Sequence, residues 1–407
     1  MKKLSFSSYF FLTVVLIFGL LSYLLFGEVF YYRMTEQSED VLKLSFPTKK
    51  DSENRAKAKF PKEFDFSFPR KFDSFFNDAF PFRSKLIKRF FKLRLIIGDN
   101  PGVIPGKESW FFFNSSPLDI YAKTSNTLGD FTGKTLLNPE DRETLKRHMA
   151  CQNDFFKKHH IRLIVMIPPN RKPVYPEFLP EVYKKQGVKY GRYEQVQDLL
   201  KELNIDFVDE KKALIANKDK GTLYFKTDTH WTLLGAHYGF EALAEFMGYK
   251  MPPVDGVKRK IIECGDMYRM SASIVHSCYD INDIPVLPPT DAPGSCEHEP
   301  HNKRVVCTND KAPIRQKVVI VRDSMFDSLY EDVARTFKKA VLLWRSKHTE
   351  QELKDEILRE KPDTLIYEQG ERFMLEMQNE AICPDNVIKI NRLDQRPPEE
   401  ANIKDKK

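Results

Sequence analysis

Two short segments of the 407-residue chain hold residue types that could do chemistry together. The first is KVVIVRDSMFDSLYEDVARTF, in which Ser324 falls between an apolar run and a helical pattern. A serine there projects its hydroxyl at the mouth of a sheet, beside the partly positive N–H groups of the first helical turn. The same position also suits a plain helix N-cap. The segment lacks G-x-S-x-G, so the nucleophile elbow of α/β-hydrolases is not supported. The second segment is FKTDTHWTLLGAHYGF, with Asp228 and His230 two residues apart. In extended backbone such residues project to one side, so a carboxylate can fix the imidazole tautomer and stabilise the imidazolium. One alternative is a further cap beside a half-buried histidine. Another is a metal site using Asp228, His230 and His237, but His237 lies about two turns along the predicted helix and no further ligand set is evident. Together the segments supply nucleophile, base and orienter, the minimal set for acyl transfer.

These residues need a frame. Apolar runs at 161–167 and 317–321 read as fully buried strands of the parallel kind, with shorter strands at 110–113, 206–208, 340–344 and 364–367. Helical patterns fill the gaps at 139–159, 191–203 and 232–247, around 353–358, and at Phe326, Leu329, Val333 and Phe337. Repeated alternation predicts an α/β layered domain with a mostly parallel sheet. Active sites of such sheets lie beyond the carboxyl ends of the strands, where Ser324 sits. Asn170 follows another buried strand; it is polar enough to donate to an oxyanion, and equally an ordinary turn residue.

The run from Phe6 to Phe30 carries only Glu28 as a charge and follows Lys2 and Lys3. It is long enough to cross a bilayer as a helix and ends in the bulky aromatics Phe30, Tyr31 and Tyr32 rather than a small-residue cleavage site. An uncleaved signal anchor at 1–32 is expected, with the rest of the chain outside the cytoplasm. The competing topology would place the basic cluster Lys49, Lys50 and Arg55 inside. A polar stalk follows at 33–59, then an aromatic-rich start to the main domain at 60–390 and a charged tail at 391–407. Of six cysteines, Cys264, Cys278, Cys296 and Cys307 share one irregular stretch without C-x-x-C spacing. They read as disulfides of an oxidising compartment rather than a zinc site. Cys296–Cys307 is the expected hairpin-closing pair, while Cys151 and Cys383 stand alone. The net charge of +7 is spread along the chain, with no basic block interleaved with aromatics, so a nucleic-acid surface is not expected. No nucleotide, flavin or metal motif is present, and no cofactor is expected.

The sequence resembles the periplasmic alginate O-acetylation proteins, whose catalytic domain is a circularly permuted relative of the SGNH hydrolases. The pieces that carry the resemblance occur in order: the aromatic run ending NDAFPFR, GKESWFFF, IVMIPPNRKPVYPEFLP, TDTHW with GAHYGF, CGDMYRM, VRDSM and PDTLIYEQGERF. They span 60–374. The resemblance implies a three-layer SGNH-like fold, with Ser324 as nucleophile, His230 as general base and Asp228 as its orienter. It implies Arg322 and Asp323 as supports of the turn, and Glu371 with Arg372 as a structural ion pair. It also implies transfer of acetyl groups to hydroxyls of an exported polysaccharide, with a membrane-bound acyltransferase as donor. Met325 stands where the family more often has Phe. With no appended carbohydrate-binding module, the chain resembles the membrane-anchored member of the group. An acetylesterase with the same triad is the related enzyme reading, and a non-catalytic scaffold or glycan-binding subunit is the reading of another class.

Overall fold

The structure is a computed structural model that describes residues 68, 69, 71, 72 and 89, then 102–114, 126–270, 279–385, 387 and 388. The expected anchor, stalk and tail lie outside the described residues, as does most of the aromatic run. Among the described residues no helix is long and apolar enough to cross a membrane. The chain divides into units 1–97 and 98–407. Every strand among the described residues belongs to the second unit.

Strands β1 (Val103–Pro105) and β2 (Phe111–Phe113) form a small antiparallel pair. The main sheet uses β3 (Arg162–Met166) and β4 (Asp206–Val208). A separate hairpin, β5 (Gly256–Glu263) and β6 (Tyr279–Val286), comes next along the chain. The main sheet then takes β7 (Ser295–His298), β8 (Arg304–Thr308), β9 (Ile314–Arg322), β10 (Phe337–Trp344) and β11 (Thr364–Glu368). Its order is β4-β3-β11-β9-β10-β8-β7. The first five strands are parallel; β8 and β7 extend the sheet antiparallel. The expected mostly parallel sheet is therefore mixed. The link between β7 and β8 is only 299–303, too short for a crossover, so that pair can close only as a hairpin.

Alternation along the parallel strands sorts their side chains into two cores, because successive strand residues face opposite sides. Ile164, Met166, Val318, Ile320 and Ile366 face one core. Leu234, Phe240 and Leu243 of helix α4 join them there; α4 spans Leu233–Phe246 and follows α1 (Pro139–Lys158), α2 (Arg192–Glu202) and α3 (Glu210–Asn217). Leu163, Val165, Val319, Val321, Leu365 and Tyr367 face the other core, with Leu145, Met149 and Phe156 of α1 and Leu199 of α2. Two later helices are α5 (Tyr330–Thr336) and α6 (Glu350–Glu360). Leu353 and Ile357 of α6 close the second core. The result is three layers.

Three local expectations are corrected. Phe337, read as the last residue of a helical stripe, opens β10, although it is fully buried as that stripe implied. The helix after Ser324 is broken into a tight 3-10 turn at Ser324–Ser328 and α5. Cys151 and Cys383 do not stand alone: they form a disulfide with Cα atoms 6.2 Å apart, tying α1 to the end of the described chain. Cys296 and Cys307 face each other across β7 and β8 and are bonded as expected. Cys264 is also disulfide-bonded.

Candidate active site

Parallel strands β3, β11 and β9 end at one edge of the sheet, and the loops beyond them bring the chemistry together. Ser324 opens the tight turn directly after β9. Its position is fixed by Asp323, whose Oδ1 accepts the Met325 N–H at 2.7 Å and whose Oδ2 accepts the Gly370 N–H at 2.9 Å. Asp323, not Ser324, is thus the N-cap of the turn, which leaves the serine hydroxyl free of capping. The Asp323 N–H donates to Glu368 Oε2 at 2.8 Å. Arg322 is fully buried, stacks on Trp344 at 4.1 Å, pairs with Asp327 at 2.8 Å and donates to the Tyr330 hydroxyl. Both neighbours therefore contact the turn directly.

His230 reaches the same edge from the loop before α4. Its Nε2 lies 2.8 Å from Ser324 Oγ, and its Nδ1 lies 2.6 Å from Asp228 Oδ1. A carboxylate only accepts, so Nδ1 carries the proton and Nε2 is left to accept from the serine hydroxyl. Asp228 also accepts the His230 N–H at 3.1 Å and the Asp266 N–H at 2.9 Å. Burial would raise its pKa, but the hydrogen bond and charge of His230 and the two backbone donors outweigh burial and hold it well below the usual carboxylate range.

Several residues with no predicted role shape this loop. Asp280, fully buried, accepts from the N–H groups of Lys226 and Thr227 and from the Thr227 hydroxyl. Asp266 accepts from the Thr229 N–H and hydroxyl. A Cβ on Gly265 would lie 2.1 Å from Asp228 Cβ, so only glycine allows this approach. Trp231, fully buried, donates to the Met325 carbonyl at 2.8 Å and ties the histidine loop to the serine turn. Arg171, buried, donates to the carbonyls of Phe111 and Lys226 at 2.8 and 3.1 Å. Burial pushes its guanidinium down to about 10 against the charges of Asp280, Asp228 and Asp266, which it offsets. The only signal for Gly265 and Asp266 was the CGDMYRM piece, which carries no pattern of its own.

Asn170 follows β3 and lies next to Arg171. Its N–H donates to Glu371 Oε2 at 2.6 Å. Its side-chain Nδ2 is shielded from solvent and makes no hydrogen bond of good geometry, although the amide lies near enough to Glu371 to help lower that carboxyl. Glu371 does not pair with Arg372, contrary to expectation. Adjacent residues point apart, and Arg372 lies over the Phe113 and Phe373 rings. Burial raises Glu371 to about 7, and burial lowers nearby Lys172 to about 7, where it donates to Phe113 O and Thr127 Oγ1.

A metal reading falls on different residues than Asp228, His230 and His237. His237 is buried in α4 and bonded to Asp332 at 3.0 Å. Among the described residues, the ligand atoms of Asp228, His230 and Asp266 cluster. Each of their carboxylate oxygens already accepts an N–H or O–H of the loop, so hydrogen bonding within the loop accounts for the arrangement.

Residues 103–265 match the family model described as SGNH hydrolase-like domain, acetyltransferase AlgX. That stretch contains Asn170, Asp228 and His230, while Ser324 lies beyond it. The probable alginate O-acetylase AlgJ of Pseudomonas syringae pv. tomato is 24% identical over 182 residues, 44% of this chain and 42% of the relative. AlgJ of Pseudomonas putida is 26% identical over 145 residues, 36% of this chain and 34% of the relative. The chain thus spans well under half the length of these curated relatives. Among solved structures, the O-acetyltransferase domain of Pseudomonas putida AlgJ is 17% identical, covers 74% of this chain and 97% of its own, and has a TM-score of 0.42. Pseudomonas aeruginosa AlgX is 16% identical, with 66% and 62% covered and a TM-score of 0.43. Over residues 103–265, and at 24–26% identity to the curated relatives, the chain is similar to the SGNH hydrolase-like acetyltransferase domain and to the alginate O-acetylases.

Proposed function

We propose that the protein is an O-acetyltransferase that moves acetyl groups onto hydroxyls of an exported polysaccharide through an acetyl-serine intermediate. The observation that carries this reading is the unbroken relay from Asp228 Oδ1 through His230 to Ser324 Oγ, with contacts of 2.6 and 2.8 Å. Ser324 Oγ attacks the acetyl carbonyl of the donor while His230 Nε2 takes its proton. The tetrahedral intermediate collapses as that proton passes to the departing oxygen, leaving acetyl on Ser324. A sugar hydroxyl then gives its proton to His230 and attacks the acetyl carbon, and Ser324 leaves with the proton returned. Asp228 keeps the tautomer and steadies the imidazolium. The Ser324 N–H, at the start of its turn, and Asn170 Nδ2 are the donors proposed for the oxyanion. A buried donor left unmade costs about 1–3 kcal/mol, and a developing oxyanion would remove that cost.

The acceptor proposed is an alginate-like polymer, as the relatives' name suggests, and the donor proposed is a membrane-bound acyltransferase. Disulfides at Cys151–Cys383 and Cys296–Cys307 support an extracytoplasmic site of action, with the N-terminal apolar run as the proposed anchor. The test offers the full chain a chromogenic acetyl ester, with and without an oligosaccharide, beside Ser324→Ala. Acetyl found on the oligosaccharide by mass spectrometry supports transfer. Ester cleavage with no transfer points to an esterase, and no turnover at all points to a scaffold.

A further inference from the structure

The segment after β11, residues 368–371, touches both loops that flank the reacting hydroxyl. Toward the serine turn, Glu368 Oε2 accepts the Asp323 N–H at 2.8 Å, and Asp323 Oδ2 accepts the Gly370 N–H at 2.9 Å. Toward the Asn170 loop, the Gln369 N–H donates to the Met166 carbonyl at 3.2 Å and the Glu371 N–H to the Pro168 carbonyl at 2.9 Å. Glu371 Oε2 then accepts the Asn170 N–H at 2.6 Å. Glu368 is fully buried and Glu371 is 5% exposed, so neither contact is diluted by water. A Cβ on Gly370 would stand 3.2 Å from Asp323 Oδ2, so the segment lies against that carboxylate with little room to spare.

Loops beyond neighbouring strands do not by themselves keep a fixed separation. The sheet register sets where strands end, not where the following residues go. Here one short stretch, leaving the strand that lies between the other two, bonds both loops at once. We propose that residues 368–371 form a clasp that fixes the Asn170 amide relative to Ser324, with Glu371 as the positioning residue that acts through Asn170. This inference rests on the reading in which Asn170 donates to the oxyanion. Glu371 touches no reacting atom. It holds the backbone N–H of Asn170, so its removal lets the side-chain donor drift while the acetyl group binds as before.

The test is a double-mutant cycle on the full chain with a chromogenic acetyl ester, with folding followed by thermal melting. Asn170→Ala is expected to lower kcat about 10²-fold, as loss of one oxyanion donor does. Glu371→Met, which keeps volume and removes the acceptor, is expected to lower kcat about tenfold at unchanged KM. In the Asn170→Ala background the same change is expected to cost less than about twofold, because coupled residues are not additive. Glu371→Gln keeps an acceptor oxygen and is expected to stay within about twofold of wild type. Equal losses from Glu371→Met in both backgrounds overturn the clasp alone. An Asn170→Ala variant with unchanged kcat overturns the oxyanion reading beneath it. Should Glu371→Met fail to fold, Glu371→Gln decides: a tenfold loss there overturns the positioning role.

Discussion

Among the described residues two histidine–aspartate pairs stand out, and they differ in what lies beyond the imidazole. In the loop before α4, His230 is held by Asp228 at 2.6 Å, remains partly open, and meets Ser324 Oγ on its far side. Within α4, His237 is held by Asp332 at 3.0 Å and is almost completely enclosed. Among the described residues no hydrogen bond joins its ring to a serine or threonine hydroxyl. A carboxylate orienting a histidine is therefore not a signature of catalysis by itself. An accessible ring with a hydroxyl on its free nitrogen is what turns a structural pair into a candidate relay.

Substitutions at the two pairs should separate them most widely. Ser324→Ala, His230→Ala and Asp228→Asn are each expected to lower acetyl-ester turnover about 10⁴-fold. Asp332→Asn is expected to leave kcat within about twofold. A loss at Asp332 rivalling that at Asp228 would break the distinction.

The tie between the loops is the next test. Trp231→Phe removes the hydrogen bond to the Met325 carbonyl while keeping an aromatic ring in the core. It leaves a buried acceptor unpaired at a cost of about 1–3 kcal/mol, so kcat is expected to fall about tenfold with KM little changed. Unaltered kcat would mean that the histidine loop and serine turn hold their positions independently.

Stability against pH should sharpen the contrast further. Burial would lower the pKa of His237, but its hydrogen bond to Asp332 and the charges of Asp332 and Glu241 raise it overall. A group raised on folding adds stability fully below its unfolded value of about 6.5. That stability is lost as pH rises through the folded value. The Tm difference between wild type and Asp332→Asn is therefore expected to be largest below about pH 6.5 and to shrink toward alkaline pH. Asp228 behaves oppositely. Its depressed pKa adds stability above its unfolded value of about 3.9, lost only as pH falls through the lower folded value.

The smallest effect expected is that of the short disulfide. Cys151–Cys383 closes 232 residues and Cys296–Cys307 closes 11. In the chain-entropy view the longer loop stabilises more, by about 2.7 kcal/mol at 25 °C. Replacing Cys151 and Cys383 by alanine should lower Tm more than the same change at Cys296 and Cys307. The reverse order would show that native packing, not loop closure, governs both bonds.

The parallel core was legible because strands buried on both faces read as unbroken apolar runs: the runs at 161–167 and 317–321 became β3 and β9. The approach of His230 to Asp228 and Ser324 was legible from residue type and spacing, with Ser324 just past β9. Illegible were partners set by tertiary approach alone. Nothing near Gly265 announces that it must clear the Asp228 side chain, and nothing near Cys151 points 232 residues ahead. The β5 and β6 hairpin was not legible because β5 is mostly exposed and charged, with no apolar alternation to read. Phe337 reads as helical because a buried stripe at spacing three and four cannot show where the backbone straightens.

The most direct measurement of the relay is peptide mass spectrometry on the full chain after brief exposure to a chromogenic acetyl ester. The expected result is one acetyl group on the peptide containing Ser324, accumulating in wild type and absent from Ser324→Ala. Acetyl on a different residue, or full turnover by Ser324→Ala, would contradict it.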